Sequence, residues 1–177
     1  MSETIAALRA FLLSVLPAGV EVIRAQDNRV PQPLAADFVV MTIIGRARLA
    51  TNVVTYSDGG PAQPQERHAL QATQVTVQLD IHGPESSNTV QIISTLFRDG
   101  YGCDKFTASG FDVQPLFCSD PRQAPFLNES QQVESRWTID AVMQANPVVT
   151  SPQDFAAALQ LNPIGAVKEV DAEFPPS

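Results

Sequence analysis

The sequence predicts an α+β fold, in which a mostly antiparallel β-sheet carries two main helices and a long protruding β-hairpin. Apolar residues recur at helical spacing in two segments, residues 4–16 and 90–97. Strand-like segments are more numerous, and two of them, residues 74–82 and 136–144, alternate regularly between apolar and polar side chains. At 177 residues, the chain is long enough to bury the core that such a sheet needs.

The first helix is expected over residues 4–16 because its apolar side chains are three and four positions apart. Pro17 and Gly19 follow it and are typical of a helix end. Residues 20–24 then predict a short strand, and residues 27–33 predict a turn region that contains two prolines.

Residues 38–44 are expected to form a central strand. The segment Phe-Val-Val-Met-Thr-Ile-Ile is apolar at both odd and even positions. This pattern is typical of a strand that is covered on both faces. We therefore expect it to be the deepest part of the core.

The long hairpin is predicted from two strand segments on either side of a turn. Strand character continues through residues 46–55, and the alternating segment 74–82 provides the returning strand. Between them, residues 56–64 contain the glycines and prolines of a turn or loop. The base of this hairpin is expected to be core and its tip to project.

The second half of the chain completes the predicted sheet. Serines precede the second helix, which is expected to end near residues 99–100 and to lie across the sheet. A short strand is expected at residues 111–117, then a loop, then the strand at 136–144. Trp137 lies on the apolar face of that last strand, so we expect it in the core.

The chain is expected to form a single domain over residues 1–150 and an extended C-terminal arm over residues 151–177. Residues 151–154 resemble a helix start, yet the apolar residues that follow also fit a period of two. We expect one helical turn that leads into an extended arm, because Pro163, Pro175 and Pro176 disfavour a long helix.

Composition and charge exclude several classes of protein. The net charge of −8 disfavours binding to duplex DNA through neutralised phosphates. No apolar run is long enough to span a membrane, and the first residues lack the basic region of a signal peptide, so the protein is expected to be made and kept in the cytoplasm. Cys103 and Cys118 predict two buried or half-buried thiols in preference to a disulfide.

The sequence gives no support for an enzyme, a cofactor or a metal site. Phosphate-binding loops, nucleophile elbows and paired-histidine zinc motifs are all absent from it. A metal or acid–base site at His82 would need Asp80, Cys103 or Asp104 nearby in space. His68 and His82 are instead expected to be solvated or hydrogen-bonded strand residues.

The candidate functional residues are all predicted to bind partners. Arg46 and Arg48 share one strand face and either hold a neighbouring subunit's carboxylates or form a solvated face. Phe126 and Leu127 lie between prolines and either tuck over the sheet edge or dock on a partner. The exposed hairpin tip adds five further candidates: Tyr56, Asp58, Gly59, Gly60 and Gln63.

Taken in order, three segments resemble the bacteriophage neck or tail terminator proteins. They are Ile23–Pro33, Gln74–Gly83 and Asn146–Phe155. The resemblance implies a structural subunit of a ring, usually hexameric, that ends polymerisation of the tail tube and provides the surface on which the DNA-filled head docks. It implies no active-site residue and no cofactor.

The partners that this resemblance implies are further copies of the chain, the tail tube protein, the head–tail connector and passing DNA that is not bound by sequence. The expected location is the virion, after assembly in the host cytoplasm. If a ring forms, acidic residues either line its channel or only solubilise its outer surface, and the candidates are Asp58, Glu66, Glu85 and Asp99. A small binding module for a peptide or small molecule is the alternative function.

Overall fold

The computed structural model describes residues 3–25, 33–58, 65–124, 126–127 and 133–154. The helices in these residues are α1 (Glu3–Val15), α2 (Ser86–Phe97) and α3 (Gly100–Ala108). The strands are β1 (Glu21–Arg24), β2 (Phe38–Arg48), β3 (Val53–Ser57), β4 (Glu66–Leu70), β5 (Thr73–His82), β6 (Val113–Cys118), β7 (Arg122–Gln123), β8 (Phe126–Leu127), β9 (Val133–Glu134), β10 (Arg136–Ala145) and β11 (Val148–Pro152). The fold is α+β with helices packed on the sheet, as the sequence predicts.

The main sheet has the strand order β1-β2-β5-β10-β6, and β7 also pairs with β10. Only the pairing of β1 with β2 is parallel among these described strands, so the predicted antiparallel character is confirmed. The two alternating segments of the sequence are β5 and β10, and they are neighbours at the centre of the sheet.

The core forms where the apolar faces of β5 and β10 meet. Leu79 lies opposite Ile139, Val75 lies opposite Met143, and all four side chains are fully buried. Trp137 lies opposite Ile81 and packs against this core while it remains partly exposed. The predicted packing of these two strands, including the core position of Trp137, is therefore confirmed.

Strand β2 differs from its predicted role as the deepest strand. Val39 and Met41 are buried on the face that contacts the helices, whereas Val40 on the other face is only partly buried. A bulge then disturbs the pairing with β5 between Ile43 and Gly45, and the extra residue, Ile44, is 50% exposed. The expectation of cover on both faces is wrong because the helices pack on one face of the sheet.

Three helices pack on that face, one more than predicted. Phe11, Phe97 and Phe106, one from each helix, meet with ring centroids 5.4–5.8 Å apart and form the centre of the helical layer. Helix α3 lacks an apolar stripe, since only Gly102 and Phe106 are buried in it, and the periodicity of the sequence did not reveal it. Gly102 is needed there because a Cβ would contact the carbonyl oxygen of Leu96 at 2.6 Å.

A second sheet, with strand order β11-β4-β3, continues the main sheet at one end. We call these three strands the extension. Strand β3 follows β2 after four residues, β4 precedes β5 by two residues, and β11 follows β10 after two residues. Hydrogen bonds from Leu49 N to Ala72 O and from Gln71 N to Pro147 O join the connecting residues. In place of the predicted long hairpin there are two separate antiparallel ladders, β2 with β5 and β3 with β4. Tyr56 and Ser57, predicted in the turn at 56–64, are the last residues of β3 and pair with β4. Residues 59–64 lie outside the described residues, so the projection of the tip stays a prediction.

Strand β11 corrects the interpretation of the segment after residue 147. Ser151 and Pro152, expected in a helical turn, pair with Arg67 and Glu66 of β4. These residues form a strand, as their period-two pattern allowed, because β4 has an edge that is not paired with β3. A proline is tolerated at the end of such an edge strand. The arm that was predicted to follow, from residue 155 onward, lies outside the described residues.

Candidate interaction surface

Apolar side chains are exposed on both faces of the extension. Where it joins the main sheet, the register forms two apolar rows across the three strands: Val53, Leu70 and Val148 on one face, and Val54, Ala69 and Val149 on the other. Val53 is 58% exposed and Val149 is 67% exposed, and within the three strands only Ala69 is buried. Clustered apolar exposure of this kind is typical of an interaction surface.

Farther from the main sheet the extension becomes polar, with His68 at its centre. His68 Nε2 lies 3.0 Å from Ser57 Oγ, and Nδ1 lies 3.0 Å from Thr150 Oγ1. The imidazole therefore links the side chains of all three strands. Glu66 Oε2 is 3.7 Å from Nε2, the nitrogen that contacts Ser57, so this carboxylate does not orient the opposite nitrogen as it would in a hydrolytic triad.

The outer edge of β2 is open beyond its first residues. Strand β1 pairs with β2 only at Phe38–Met41, so residues 42–48 have no neighbouring strand on that side within the part of the chain that the structure describes. Arg46 and Arg48 lie opposite Val75 and Thr73 and are exposed on one face. Neither arginine has an ion-pair partner among the described residues, which leaves two cations at an open strand edge.

The other predicted partner-binding residues are distributed over two regions. Tyr56 lies in β3 and is 58% exposed, and Asp58, just after β3, is also exposed. Gly59, Gly60 and Gln63 lie outside the described residues. Phe126 and Leu127 form β8, which pairs with Val133 and Glu134 of β9 and not with the extension.

The four predicted channel acids are not brought together. Asp58 and Glu66 lie in or next to the extension, whereas Glu85 and Asp99 precede α2 and α3. Asp99 accepts a hydrogen bond from the backbone N–H of Tyr101 at 2.8 Å and so caps α3. Glu85 accepts a hydrogen bond from Asn88 Nδ2 at 2.7 Å. These two acids therefore have local structural contacts.

Sequence reasoning missed a charged network on the face of the main sheet opposite the helices. Asp80 is only 7% exposed and accepts hydrogen bonds from Arg136, Gln78 and Thr138. Burial opposes ionisation and is the largest single influence, but these hydrogen bonds together outweigh it and lower the pKa of Asp80. The available signal was that Asp80 is the one acid in β5, but its partner is 56 positions away.

His82 lies on the same face, two residues beyond Asp80. Its ring stacks on Phe38 with centroids 4.6 Å apart. Burial, and next the charge of Arg136, lower the pKa of His82. Cys103 and Asp104 lie on α3, in the layer on the other side of the sheet, so they do not join His82.

Three further features of the described residues concern metal ligands, the two cysteines and the length of the helices. Among them, no three His, Cys, Asp or Glu side chains lie close enough to hold a metal ion. Both cysteines are free; Cys118 is buried, whereas Cys103 is exposed, contrary to the expectation for it. No helix in the described part of the chain has the length and apolar character to cross a bilayer.

Comparison with known proteins gives one match that covers nearly the whole chain. The model of a family described as phage neck terminator protein matches residues 2–171. No curated protein matches the chain.

Proposed function

The chain belongs to the phage neck terminator protein family and has a structural role in the phage tail and neck, and from this we propose that identical copies form a ring that caps the tail tube. The ring, a hexamer in this proposal, ends polymerisation of the tube protein and joins the tail to the head connector. The match over residues 2–171 carries the proposal, since it includes the main sheet, the extension and most of the C-terminal segment.

The open edges of the strands support assembly with further copies. Strand β3 is an edge of the extension whose five residues include neither a charged residue nor a proline, the usual protections of an exposed edge. The apolar rows beside it, which include Val53 and Val149, would be covered by a neighbouring subunit. A closed ring of identical subunits covers such surfaces on every copy.

The charge of the chain supports a channel that DNA passes without being held. Six copies at −8 each carry a formal charge of −48. Asp58 and Glu66 are the candidates for the channel wall that lie near the extension, because carboxylates repel phosphate where lysine or arginine would retain it. Glu85 and Asp99 stay candidates for the same wall in addition to their contacts next to the helices.

The proposed location is the neck of the virion, after assembly in the host cytoplasm, with the tail tube protein and the connector as partners. The proposed activity is purely structural, without catalysis or a cofactor.

The experiment that tests the ring is measurement of mass in solution by light scattering, together with electron microscopy of the purified full chain. A hexamer has a mass of about 115 kDa, six times the 19.1 kDa of the chain, and we expect ring-shaped particles of that mass. Phage particles assembled without the protein should have tails of irregular length and heads without tails. A chain that stays monomeric in solution and on purified tail tubes would overturn the proposal.

A further inference from the structure

The open edge of β2 is complementary in charge to a segment of the chain that follows the described residues. Arg46 and Arg48 are two residues apart, exposed on one face of the strand and without an ion-pair partner in the described ranges. Within the described part of the chain, the edge beside them has no neighbouring strand from residue 42 to residue 48, so its backbone groups can accept one. A strand that carries acids at a spacing of two would satisfy both the charges and the backbone.

Residues 168–174 have this pattern. In the sequence Lys-Glu-Val-Asp-Ala-Glu-Phe, the acids Glu169, Asp171 and Glu173 occupy alternate positions, and Val170, Ala172 and Phe174 lie between them. In an extended chain the three acids share one face. Two of them would then lie beside Arg46 and Arg48 as cross-strand pairs, which stabilise neighbouring strands.

The direction of β11 indicates which copy receives this segment. Strand β11 runs from Val148, opposite Leu70, to Pro152, opposite Glu66, so the chain leaves at the end of the extension farthest from the main sheet. Strand β11 is also one edge of the extension, whereas β3, which continues β2, is the other. The interfaces of a cyclic ring are head-to-tail and join two different surfaces of adjacent copies. If these are the β11 edge and the β3 edge, the segment leaves its own copy on the side where the neighbour presents β3 and, continuous with it, the open edge of β2.

We propose that residues 168–174 of one copy add as a strand to the open edge of β2 in the adjacent copy and place acids beside Arg46 and Arg48. This inference rests on the ring proposed above. Residues 155–167 connect β11 to the segment, and 13 residues span up to about 45 Å when extended, enough to cross to a neighbour. Each copy donates one segment and receives one, so the exchange closes with the ring.

Arg48 is the main contact in this proposal. Arg46 also lines a cleft together with Glu3 of α1 and Asp112, which lies just before β6. Arg48 does not line that cleft, so these two acids contribute less to the electrostatic potential around its guanidinium. A probe at Arg48 therefore reports on the donated segment most directly.

The test is zero-length coupling of lysine to carboxylates by a carbodiimide in the full-length variant Arg48→Lys. The natural chain has only two lysines, Lys105 and Lys168, so the new coupling products are easily assigned by mass spectrometry. Rings are assembled from equal amounts of ¹⁴N and ¹⁵N protein. We expect the introduced lysine to be joined to Asp171 or Glu173, with mixed isotopes in about half of the linked peptides. The control is Arg67→Lys in the central strand β4, which should give no link to residues 169–173.

The outcomes separate this inference from the proposed function. Links with one isotope only would show that the segment returns to its own chain, and rings without any link at position 48 would show that the edge is covered otherwise; either result overturns the inference and leaves the ring intact. A chain that forms no rings overturns both.

Charge reversal by Arg46→Glu with Arg48→Glu should weaken ring association about 10- to 100-fold. Lysines at positions 169, 171 and 173 should restore it.

Discussion

Arg136 reaches diagonally from β10 to β5 and places its Nη2 2.7 Å from Oδ1 of Asp80. The direct partner of Asp80 in the register is Thr138, which donates a further hydrogen bond to the same oxygen at 2.8 Å. Two central strands of the sheet are therefore joined by a mostly buried charged pair on the face opposite the helices.

Replacement of Arg136 by alanine should lower the free energy of unfolding by about 3–5 kcal/mol, because the Asp80 carboxylate would stay buried without its cation. The control is Arg122→Ala, which removes the Arg122–Asp140 pair; here the arginine is 66% exposed and the carboxylate 24%, so the loss should be smaller, about 1 kcal/mol. Urea unfolding of both variants gives the two values. Equal losses would mean that Asp80 is more accessible to water than the structure indicates.

Stability should fall as the pH is lowered from neutrality, and His82 is the first cause. The pKa of folded His82 lies below 6.5, so the unfolded chain takes up a proton first and is favoured as the pH falls through that range. The pKa of Asp80 lies below 3.8 in the folded state, which adds a second loss when the pH falls below that value. Urea unfolding between pH 7.5 and 5 should be less pH-dependent in His82→Gln than in the natural chain; an unchanged slope would assign the first step to another group.

Truncation of Leu79 to alanine should cost about 2–5 kcal/mol, since the side chain is fully buried between β10 and the helices and its removal leaves a cavity. Leu34, which is 96% exposed, provides the control: Leu34→Ala should change the free energy of unfolding by less than about 0.5 kcal/mol. Both values come from denaturant unfolding. A loss below about 1 kcal/mol for Leu79→Ala would place this face of the sheet at a surface.

Substitution of Gly83 by alanine should be more damaging than the same change at Gly110. Both glycines have positive φ, at 110° and 75°, where a side chain costs about 1–2 kcal/mol. At Gly83 the added Cβ also collides with the Asp37 carboxylate and the Ala36 carbonyl, whereas at Gly110 the space is open. Thermal unfolding should therefore show the larger decrease in Tm for Gly83→Ala, and equal decreases would contradict the close approach of residues 36–37.

Purified protein should bind duplex DNA weakly, even at low salt, because carboxylates outnumber cations in the chain by 19 to 11. A fluorescence anisotropy titration with a short labelled duplex measures this directly. Tight binding that weakens steeply as salt is added would contradict a passive channel and indicate a nucleic-acid-binding role.

The sequence was most informative where one face of a strand is buried and the other is polar. Strands β5 and β10 alternate regularly because the helices cover one face only, and so their packing could be predicted. Strand β2 has apolar residues on both faces, and the pattern alone cannot tell whether Ile44 is covered or, as observed, displaced outward by a bulge. Helix α3 escaped prediction because the close approach of Gly102 to Leu96 requires a residue of low helix propensity.

The candidate interaction surface could be predicted only in part. Tyr56, Arg46 and Arg48 are exposed, and local signals, neighbouring turn residues and a spacing of two, were enough to select them as candidates; their contact with a partner stays a prediction. The exposure of Val148 and Val149 depends on the pairing of β11 with β4, which brings together residues about 80 positions apart. The Asp80–Arg136 pair depends on register in the same way. Local patterns identify faces, whereas contacts between distant segments require the topology.

The extension is built from the same three strands as the centre of the main sheet, with breaks of only two to four residues between them. A pull on the extension along its strands is therefore transmitted by continuous backbone into β2, β5 and β10. Because these three strands are pulled together, the load acts along the ladders that join β2 to β1 and β10 to β6, where many hydrogen bonds are stretched at once. Tension applied at the far end of the extension is therefore carried by the three central strands of the main sheet, two of which, β5 and β10, hold most of the apolar core.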